Sequence, residues 1–171
     1  DLIDKVHQCE RTVVPTDTTW RAIGPVGDLE GNPIAGVGQA WENTHVGWND
    51  DLAFNDSNAA GWSDAIFNDG TPGNIWINGN GFGGSTPAYF RKVFQIGRPL
   101  AATLEGGVDD DAQIYINGVL VFDDHNGSAA DFGPIDVTGF LRPGRNLIAV
   151  KAHDSFGIHE ALRVVLRINT A

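Results

Sequence analysis

The sequence predicts an all-β protein, an antiparallel β-sandwich built as one domain. Three observations support this: a glycine-rich composition, strand-length segments of alternating apolar and polar residues, and an Asn-Gly turn between two such segments. The 171 residues include 22 glycines and eight prolines without a collagen period. Many turns between short strands, with no amphipathic helix between them, are typical of a sandwich. A chain of this length can also enclose a substantial core.

The N-terminal segment is expected to lie outside the sandwich. Residues 1–15 are compatible with a short helical turn or an extended leader, and Pro15 ends the segment. The β-sandwich domain is therefore expected over residues 16–171. Its first predicted strand is "TTWRAIG", residues 18–24.

The first half of the domain predicts short strands joined by long ordered loops. Residues 27–88 are rich in Gly, Asn and Asp and show no sustained period, and loops of this length are usually functional. The best strand candidate there is "NIWING", residues 74–79. Trp20, Trp62 and Trp76 are expected in the core.

The second half predicts regular strands. Apolar residues alternate with polar ones in residues 88–96, 100–108 and 161–168, and residues 146–153 form a further predicted strand after the Pro143-Gly144 turn. Two further runs, within residues 112–122, flank Asn117-Gly118, the preferred type I′ hairpin turn because both central residues need a positive φ. In the last strand the aliphatic side chains are expected to face inward, and Arg163 and Arg167 outward.

Charge and hydropathy bear on the classes of partner. The formal net charge of −11 repels nucleic-acid phosphates, so we expect no nucleic-acid partner. No stretch approaches the roughly 20 apolar residues of a membrane span, so no membrane partner is expected. Cys9 is the only cysteine, which excludes an internal disulfide framework. A chain that starts at Asp1 and lacks Met is expected to be a processed form or part of a longer protein.

Catalytic motifs are missing from the sequence, so we expect a non-catalytic protein. There is no G-x-S-x-G, no H-E-x-x-H and no Gly-rich phosphate loop leading into a helix. His153, Asp154 and Ser155 hold the residue types of an acyl-transfer triad. As neighbours at a strand end they point to alternate faces and cannot form that triad among themselves.

Aspartates border the predicted hairpin on both sides. Counting outward from the Asn117-Gly118 turn places Asp111 opposite Asp124, and like charges in that position destabilise a ladder. A calcium ion would remove this cost, since Ca²⁺ prefers carboxylate oxygens. The candidate metal ligands are Asp109, Asp110, Asp111 and Asp124. The alternatives are side chains solvated at the strand ends, or Asx turns.

Two tryptophans lie in polar loop contexts that are typical of sugar binding. Trp41 and Trp48 stand seven positions apart among amides and acids. Aromatic rings stack on the apolar faces of sugars, while neighbouring polar groups bind the hydroxyls. The candidate ligand-binding residues are Trp41, Asn43, His45, Trp48 and Asn49. Because of the net charge, the expected ligand is a neutral or basic glycan.

Four segments together resemble one family of sandwiches. They are "DLAFNDSNAAGWSDAIF" (51–67), "AYFRKVFQI" (88–96), "VDDDAQIYINGVLV" (108–121) and "IDVTGFLRPGRNLIAVKAHD" (135–154). In this order they are similar to the galactose-binding-domain-like jelly roll, although the insertion before Trp62 is longer than usual. That sandwich is attached to many glycoside hydrolases and occurs as carbohydrate-binding modules.

The resemblance implies a lectin-like carbohydrate-binding module of a larger extracellular or cell-surface protein. The aspartates at the hairpin add calcium as its expected cofactor. Its expected partners are a glycan, other domains of the parent chain, or further copies of itself. Members of such a fold family range from sugar binders to structural appendages. The alternative is therefore a structural or assembly domain, making protein–protein contacts in a secreted, cell-surface or virion protein.

Overall fold

Two antiparallel sheets form the fold in the computed structural model. The structure describes residues 10–24, 39–67, 72–76, 87–154 and 161–171, and of residues 39–40 only the backbone. None of the described helices is long and apolar enough to cross a membrane. The predicted all-β antiparallel sandwich is confirmed.

Twelve strands are described. They are β1 (Glu10–Val14), β2 (Arg21–Ile23), β3 (Ser63–Asp64), β4 (Ile66–Phe67), β5 (Ile75–Trp76), β6 (Ala88–Ile96), β7 (Pro99–Asp109), β8 (Asp111–Ile116), β9 (Val119–Asp124), β10 (Ala130–Asp136), β11 (Gly144–His153) and β12 (Ala161–Thr170). One short helix, α1 (Gln39–Thr44), and 3-10 turns at Asn58–Ala60 and Thr138–Phe140 complete the described elements.

The strands divide into two sheets of six. Sheet A has the order β10-β7-β12-β5-β4, with β1 paired to β12 as well. Sheet B has the order β3-β2-β6-β11-β8-β9. Both sheets thus contain strands from both halves of the sequence. The long strands β7 and β12 lie inside sheet A, and β6, β11 and β8 lie inside sheet B.

The main core lies between the inner faces of the two sheets. The alternation in β12 is confirmed, because Leu162, Val164, Leu166 and Ile168 are fully buried. Sheet B supplies Phe90, Ile148 and Val150 from the facing side, all without exposed surface. At roughly 1.5–3 kcal/mol for each fully buried side chain, these rows are the main stabilising feature of the fold.

The hairpin at Asn117-Gly118 is confirmed. Both residues have positive φ, 49° and 85°, as a type I′ turn requires. The Asn117 side chain also reaches β11, where its Oδ1 accepts the N–H of Leu147 at 3.0 Å. Its Nδ2 donates to the carbonyl of Phe140 at 2.8 Å, so the turn is bonded to two other parts of the fold.

Part of the expected leader belongs to the sandwich. Strand β1 pairs with β12 from Glu10 opposite Thr170 to Val14 opposite Leu166. Just after it, the hydroxyl of Thr16 donates to the carbonyl of Val164 at 2.7 Å. The boundary expected at residue 16 is therefore too late, because a proline that ends a segment can also end an edge strand. Residues 1–9, with Cys9, lie outside the described residues.

The three tryptophans expected in the core are buried, as predicted. Trp20 and Trp76 belong to the core between the sheets. Trp62 is equally buried but packs on the outer face of sheet B, in a second cluster. Short strands in the first half are also confirmed, since β2 to β5 have two or three residues each.

Candidate functional site

The outer face of sheet B is covered by the segment of residues 41–62, which we call the cover segment. A second apolar cluster forms beneath it from Trp41, Trp48, Trp62, Tyr89, Leu147 and Ala149. Because both faces of sheet B are covered, β11 is buried along eight consecutive residues from Asn146 to His153. The sequence of a strand that is buried on both faces is largely apolar and does not alternate between apolar and polar residues.

Trp41 and Trp48 are buried within the cover segment, which corrects the expectation of exposed rings. Their exposed fractions are 9% and 4%. The Trp41 ring stacks on Tyr89 at a centroid distance of 4.1 Å and on His45 at 4.2 Å. Trp48 meets Tyr89 edge to face at 4.8 Å. The sequence around these rings lacks the alternation of a strand, and for that reason they were expected to be exposed. A loop that covers a sheet nevertheless buries them.

The polar residues predicted beside these rings are spread over the surface of α1 and the turn after it. Asn43 is exposed, while His45 and Asn49 are half-buried. The Nδ1 atom of His45 lies 2.8 Å from the carbonyl oxygen of Trp41 and so helps to end the helix. A role of these residues in glycan binding stays a prediction from the sequence.

Buried charges attach the cover segment to sheet B. Arg91, 1% exposed, donates to the carbonyl oxygens of Asp51 at 2.8 Å and Phe54 at 3.2 Å, and pairs with Asp56 at 3.1 Å. Its burial lowers the pKa of the guanidinium, while the charges of Asp56 and Asp51 act against that shift. Arg91 lies on the face of β6 opposite to that of Phe90, and the cover segment shields it from solvent.

A second attachment joins α1 to the centre of sheet B. Glu42 pairs with the ammonium group of Lys151 at 2.6 Å and accepts a hydrogen bond from the Tyr89 hydroxyl at 2.7 Å. Burial, followed by the hydrogen bond to Glu42, raises the pKa of Tyr89 far above its ordinary value. Lys151 is itself buried, so the carboxylate compensates a cation removed from water.

The acid-rich end of the β8–β9 hairpin has a different register from the one predicted. Asp124 lies opposite Ala112, and Asp123 opposite Gln113. A bulge that leaves Val121 without a partner shifts the ladder by one residue. The predicted placement of Asp111 opposite Asp124 is therefore wrong, because counting outward from the turn assumes a ladder without a bulge.

Asp111 pairs instead with a residue of the neighbouring strand. It lies opposite His153 of β11, and the fully buried His153 ring approaches Oδ2 of Asp111 at 3.3 Å through Nδ1. Oδ1 of Asp111 accepts the N–H of Gly127 at 2.7 Å. The sequence indicates this pair only weakly, because predicting the contact requires knowing that β8 and β11 are neighbours.

The candidate metal ligands differ in burial. Asp110 and Asp111 are buried, whereas Asp109 and Asp124 keep part of their surface in solvent. Among the residues that the structure describes, no group of three His, Cys, Asp or Glu side chains is placed to hold a metal ion. Calcium binding at this end of the hairpin stays a prediction from the sequence.

The outer face of sheet A carries an open polar groove. At its centre three residues face each other across three strands: Asp131 on β10, Gly107 on β7 and Arg163 on β12. Nη2 of Arg163 donates to Oδ1 of Asp131 at 2.8 Å above the glycine. Arg163 faces outward as predicted, but its partner and the central glycine follow only from the strand order.

The groove continues in both directions from this ion pair. One part encloses about 420 Å³ beside Asn74 and Asp109, and the other about 380 Å³ beside Glu105 and Phe132. Both parts are lined by Asp131 and Arg163. In the second part Arg167 forms another ion pair, with its Nη2 atom 2.9 Å from Oε1 of Glu105. This groove is the candidate functional site.

Comparison with solved structures finds the same fold within larger enzymes. A β-glucuronidase of glycoside hydrolase family 2 matches with a TM-score of 0.54 and 18% identity, over 96% of this chain and 18% of that chain. A β-glucuronidase of Ruminococcus gnavus matches with a TM-score of 0.51 and 12% identity, over 94% and 29%. A Bacteroides fragilis protein assigned as a β-galactosidase matches with a TM-score of 0.52 and 17% identity, over 94% and 23%.

These likenesses concern the fold of one domain. The chain spans less than a third of the length of each of these enzymes. No protein-family model matches the sequence, and no curated protein is significantly similar to it. The structural neighbours are therefore glycoside hydrolases that carry a β-sandwich domain of this shape.

Proposed function

We propose that this chain is a non-catalytic glycan-recognition domain of a larger extracellular or cell-surface carbohydrate-active protein. The observation that carries the proposal is the open groove on sheet A, which presents ion-paired carboxylates and guanidinium groups along a solvent-exposed sheet face. Similar sandwiches within glycoside hydrolases support a carbohydrate-related role, without bearing on the ligand.

The groove has the chemistry that glycan recognition requires. Sugar hydroxyls both donate and accept hydrogen bonds, and the groove offers carboxylate acceptors beside guanidinium donors. Phe132 borders the second part of the groove, while its ring packs on the core and stacks on Phe122. The open shape fits a polymer segment lying along a sheet better than a small molecule enclosed in a cavity.

Glycan binding is tested by applying the purified domain to a broad glycan array and by calorimetry on the strongest ligands. We expect weak, reproducible binding to a subset of neutral glycans. The matched control is the variant Asp64→Asn, which removes an exposed ion-pair partner of Arg21 on sheet B. This variant is expected to bind glycans like the wild type. If no glycan on the array binds the folded wild type, the proposed function is wrong.

An assembly role is the second candidate, and exposed apolar side chains at one end of the sandwich favour it. Val119 and Leu120 at the hairpin and Phe140 in the nearby 3-10 turn are 39% to 47% exposed. The Asn117 side chain joins the two segments. If this end is an interface, the domain forms dimers in light-scattering measurements, and Leu120→Ser converts them to monomers.

A further inference from the structure

In one set of three cross-strand neighbours in the groove, the middle residue is a glycine and has no side chain. Gly107 lies between Asp131 and Arg163 in cross-strand register. Directly opposed side chains in a sheet are close neighbours, so an ordinary residue at the middle position would separate the outer two. The glycine instead lets the carboxylate and the guanidinium meet above the sheet.

The space above Gly107 is occupied by the ion pair itself. A Cβ atom at this position would lie 2.5 Å from Oδ1 of Asp131 and 3.5 Å from Nη2 of Arg163. The first distance is well inside van der Waals contact, so even an alanine requires the carboxylate to move. Gly107 thus positions the pair flat on the sheet surface.

The ion pair uses only part of its hydrogen-bonding capacity. Within the described ranges, one oxygen of Asp131 contacts one nitrogen of Arg163, and the two side chains are 85% and 47% exposed. The second carboxylate oxygen and the other guanidinium N–H groups have no protein partner among those residues. An acceptor and several donors therefore lie side by side in the groove.

We infer that the Asp131–Arg163 pair recognises two adjacent hydroxyl groups of an uncharged sugar. One hydroxyl donates to the second carboxylate oxygen of Asp131, and its neighbour accepts an N–H from Arg163. The hydroxyls of a vicinal diol have this arrangement of donor and acceptor, and hydrogen bonds to charged groups are the stronger kind. The inference rests on the proposed function and assigns it a residue-level determinant.

The charges around the groove select the class of sugar. Three carboxylates line it, those of Glu105, Asp109 and Asp131, against the guanidinium groups of Arg163 and Arg167. The protein as a whole has a net charge of −11. An acidic sugar would have to compete with carboxylates already paired to both arginines, so a neutral glycan is favoured.

The groove is long enough for several sugar units. It follows β12 from Ala161 to Arg167, a distance of roughly 20 Å at about 3.4 Å per residue. The ion pair at its centre then binds one unit of an oligosaccharide, and the flanking parts bind its neighbours. A monosaccharide is expected to bind more weakly than the corresponding oligosaccharide.

The test is calorimetric titration of the purified domain with neutral hexose tetrasaccharides and with matched uronic-acid tetrasaccharides. The variants Asp131→Asn, Arg163→Gln and Gly107→Ala are expected to weaken binding of the neutral probe by about tenfold or more, as expected for a lost charge-assisted hydrogen bond. The control Asp64→Asn is expected to bind like the wild type. Circular dichroism and melting temperatures verify that each variant is folded.

The possible results separate this inference from the proposed function. If the wild type binds neutral probes and Asp131→Asn and Arg163→Gln bind them equally well, the ion pair is not the determinant, while glycan recognition stands. Stronger binding of the uronic-acid probes overturns the assigned sugar class. If no tetrasaccharide and no arrayed glycan binds, both proposals fail.

Discussion

Asn117 combines a backbone role with a side-chain role. Its φ of 49° lies in the left-handed region that the type I′ turn requires. Its side chain makes three hydrogen bonds, to Phe140, Asn146 and Leu147. The sequence pattern predicted the first role from the Asn-Gly dipeptide, whereas the second depends on where β11 lies.

Two substitutions separate these roles. Asn117→Gly keeps the positive φ but loses the side-chain hydrogen bonds, and we expect it to lower the free energy of unfolding by about 2 kcal/mol. Asn117→Ala loses the bonds and adds left-handed strain, so we expect a further loss of about 1 kcal/mol. Denaturant unfolding measures both. Equal stability of the two variants would contradict the turn assignment.

The raised pKa values of the two tyrosines predict how the stability of the protein changes at alkaline pH. Burial raises the pKa of Tyr89, with Glu42 adding to the shift, and burial also raises the pKa of Tyr115. In the unfolded chain both ionise near pH 10. The folded state retains its protons above that pH while the unfolded state releases them, so stability is complete below about pH 10 and falls as the pH rises further.

This behaviour is measured by the ultraviolet absorbance of tyrosinate during an alkaline titration. Since the chain has only two tyrosines, the signal is easily assigned, and Tyr115→Phe leaves Tyr89 alone. We expect tyrosinate to form together with unfolding, and near pH 10 in a denatured control. Ionisation near pH 10 while the circular dichroism stays native would contradict the buried hydroxyl of Tyr89.

The cover segment is held by aromatic packing and buried charges rather than by strand pairing. Its rings fill the outer face of sheet B, and Arg91 and Glu42 connect it to the strands beneath. An element of this kind contributes stability through packing and side-chain bonds to the sheet, without a backbone ladder of its own. Its removal is therefore expected to expose the face of a sheet without disturbing the sheet's backbone ladder.

Trp41→Ala tests this role of the cover segment. Because the ring is buried between Tyr89 and other aromatic side chains, we expect a loss of about 3–5 kcal/mol in the free energy of unfolding. The control is Val46→Ala in the same segment, which is 82% exposed and should change stability by less than about 0.5 kcal/mol. An unchanged stability for Trp41→Ala would contradict the packing role of this ring and favour stacking on a sugar instead.

Calcium at the acid-rich end of the hairpin is tested by the melting temperature. The sequence predicts that millimolar calcium raises it relative to EDTA, because a ligand that binds only the folded state stabilises it by mass action. Asp109→Asn should reduce the difference. Equal melting temperatures in calcium and EDTA would leave these aspartates with the contacts that the fold provides, such as those of Asp111 with Gly127 and His153.

The two sheets present different outer surfaces. The outer face of sheet B is covered by residues 41–62, while that of sheet A has an exposed groove with ion pairs between strands. Among the residues that the structure describes, no segment covers the groove on sheet A, so a ligand can bind there without displacing any of them. This asymmetry is the structural reason for placing the candidate site on sheet A rather than at Trp41 and Trp48.

Local sequence patterns were sufficient for the strand types, the turn and the inward rows. The alternation over residues 161–168 and the Asn117-Gly118 dipeptide depend on neighbouring residues only, and both predictions are confirmed. Local patterns failed where one segment meets another. The bulge at Val121 moves Asp111 out of register with Asp124, and the cover segment buries Trp41 and Trp48.

The candidate groove is a product of strand order. Asp131, Gly107 and Arg163 come from three strands, and no local period relates their positions in the sequence. Composition and alternation determine that a residue lies on a strand face, because side chains alternate along every strand. Only the tertiary structure decides which strands are neighbours, which face is covered and which charges meet, since these depend on contacts between distant segments.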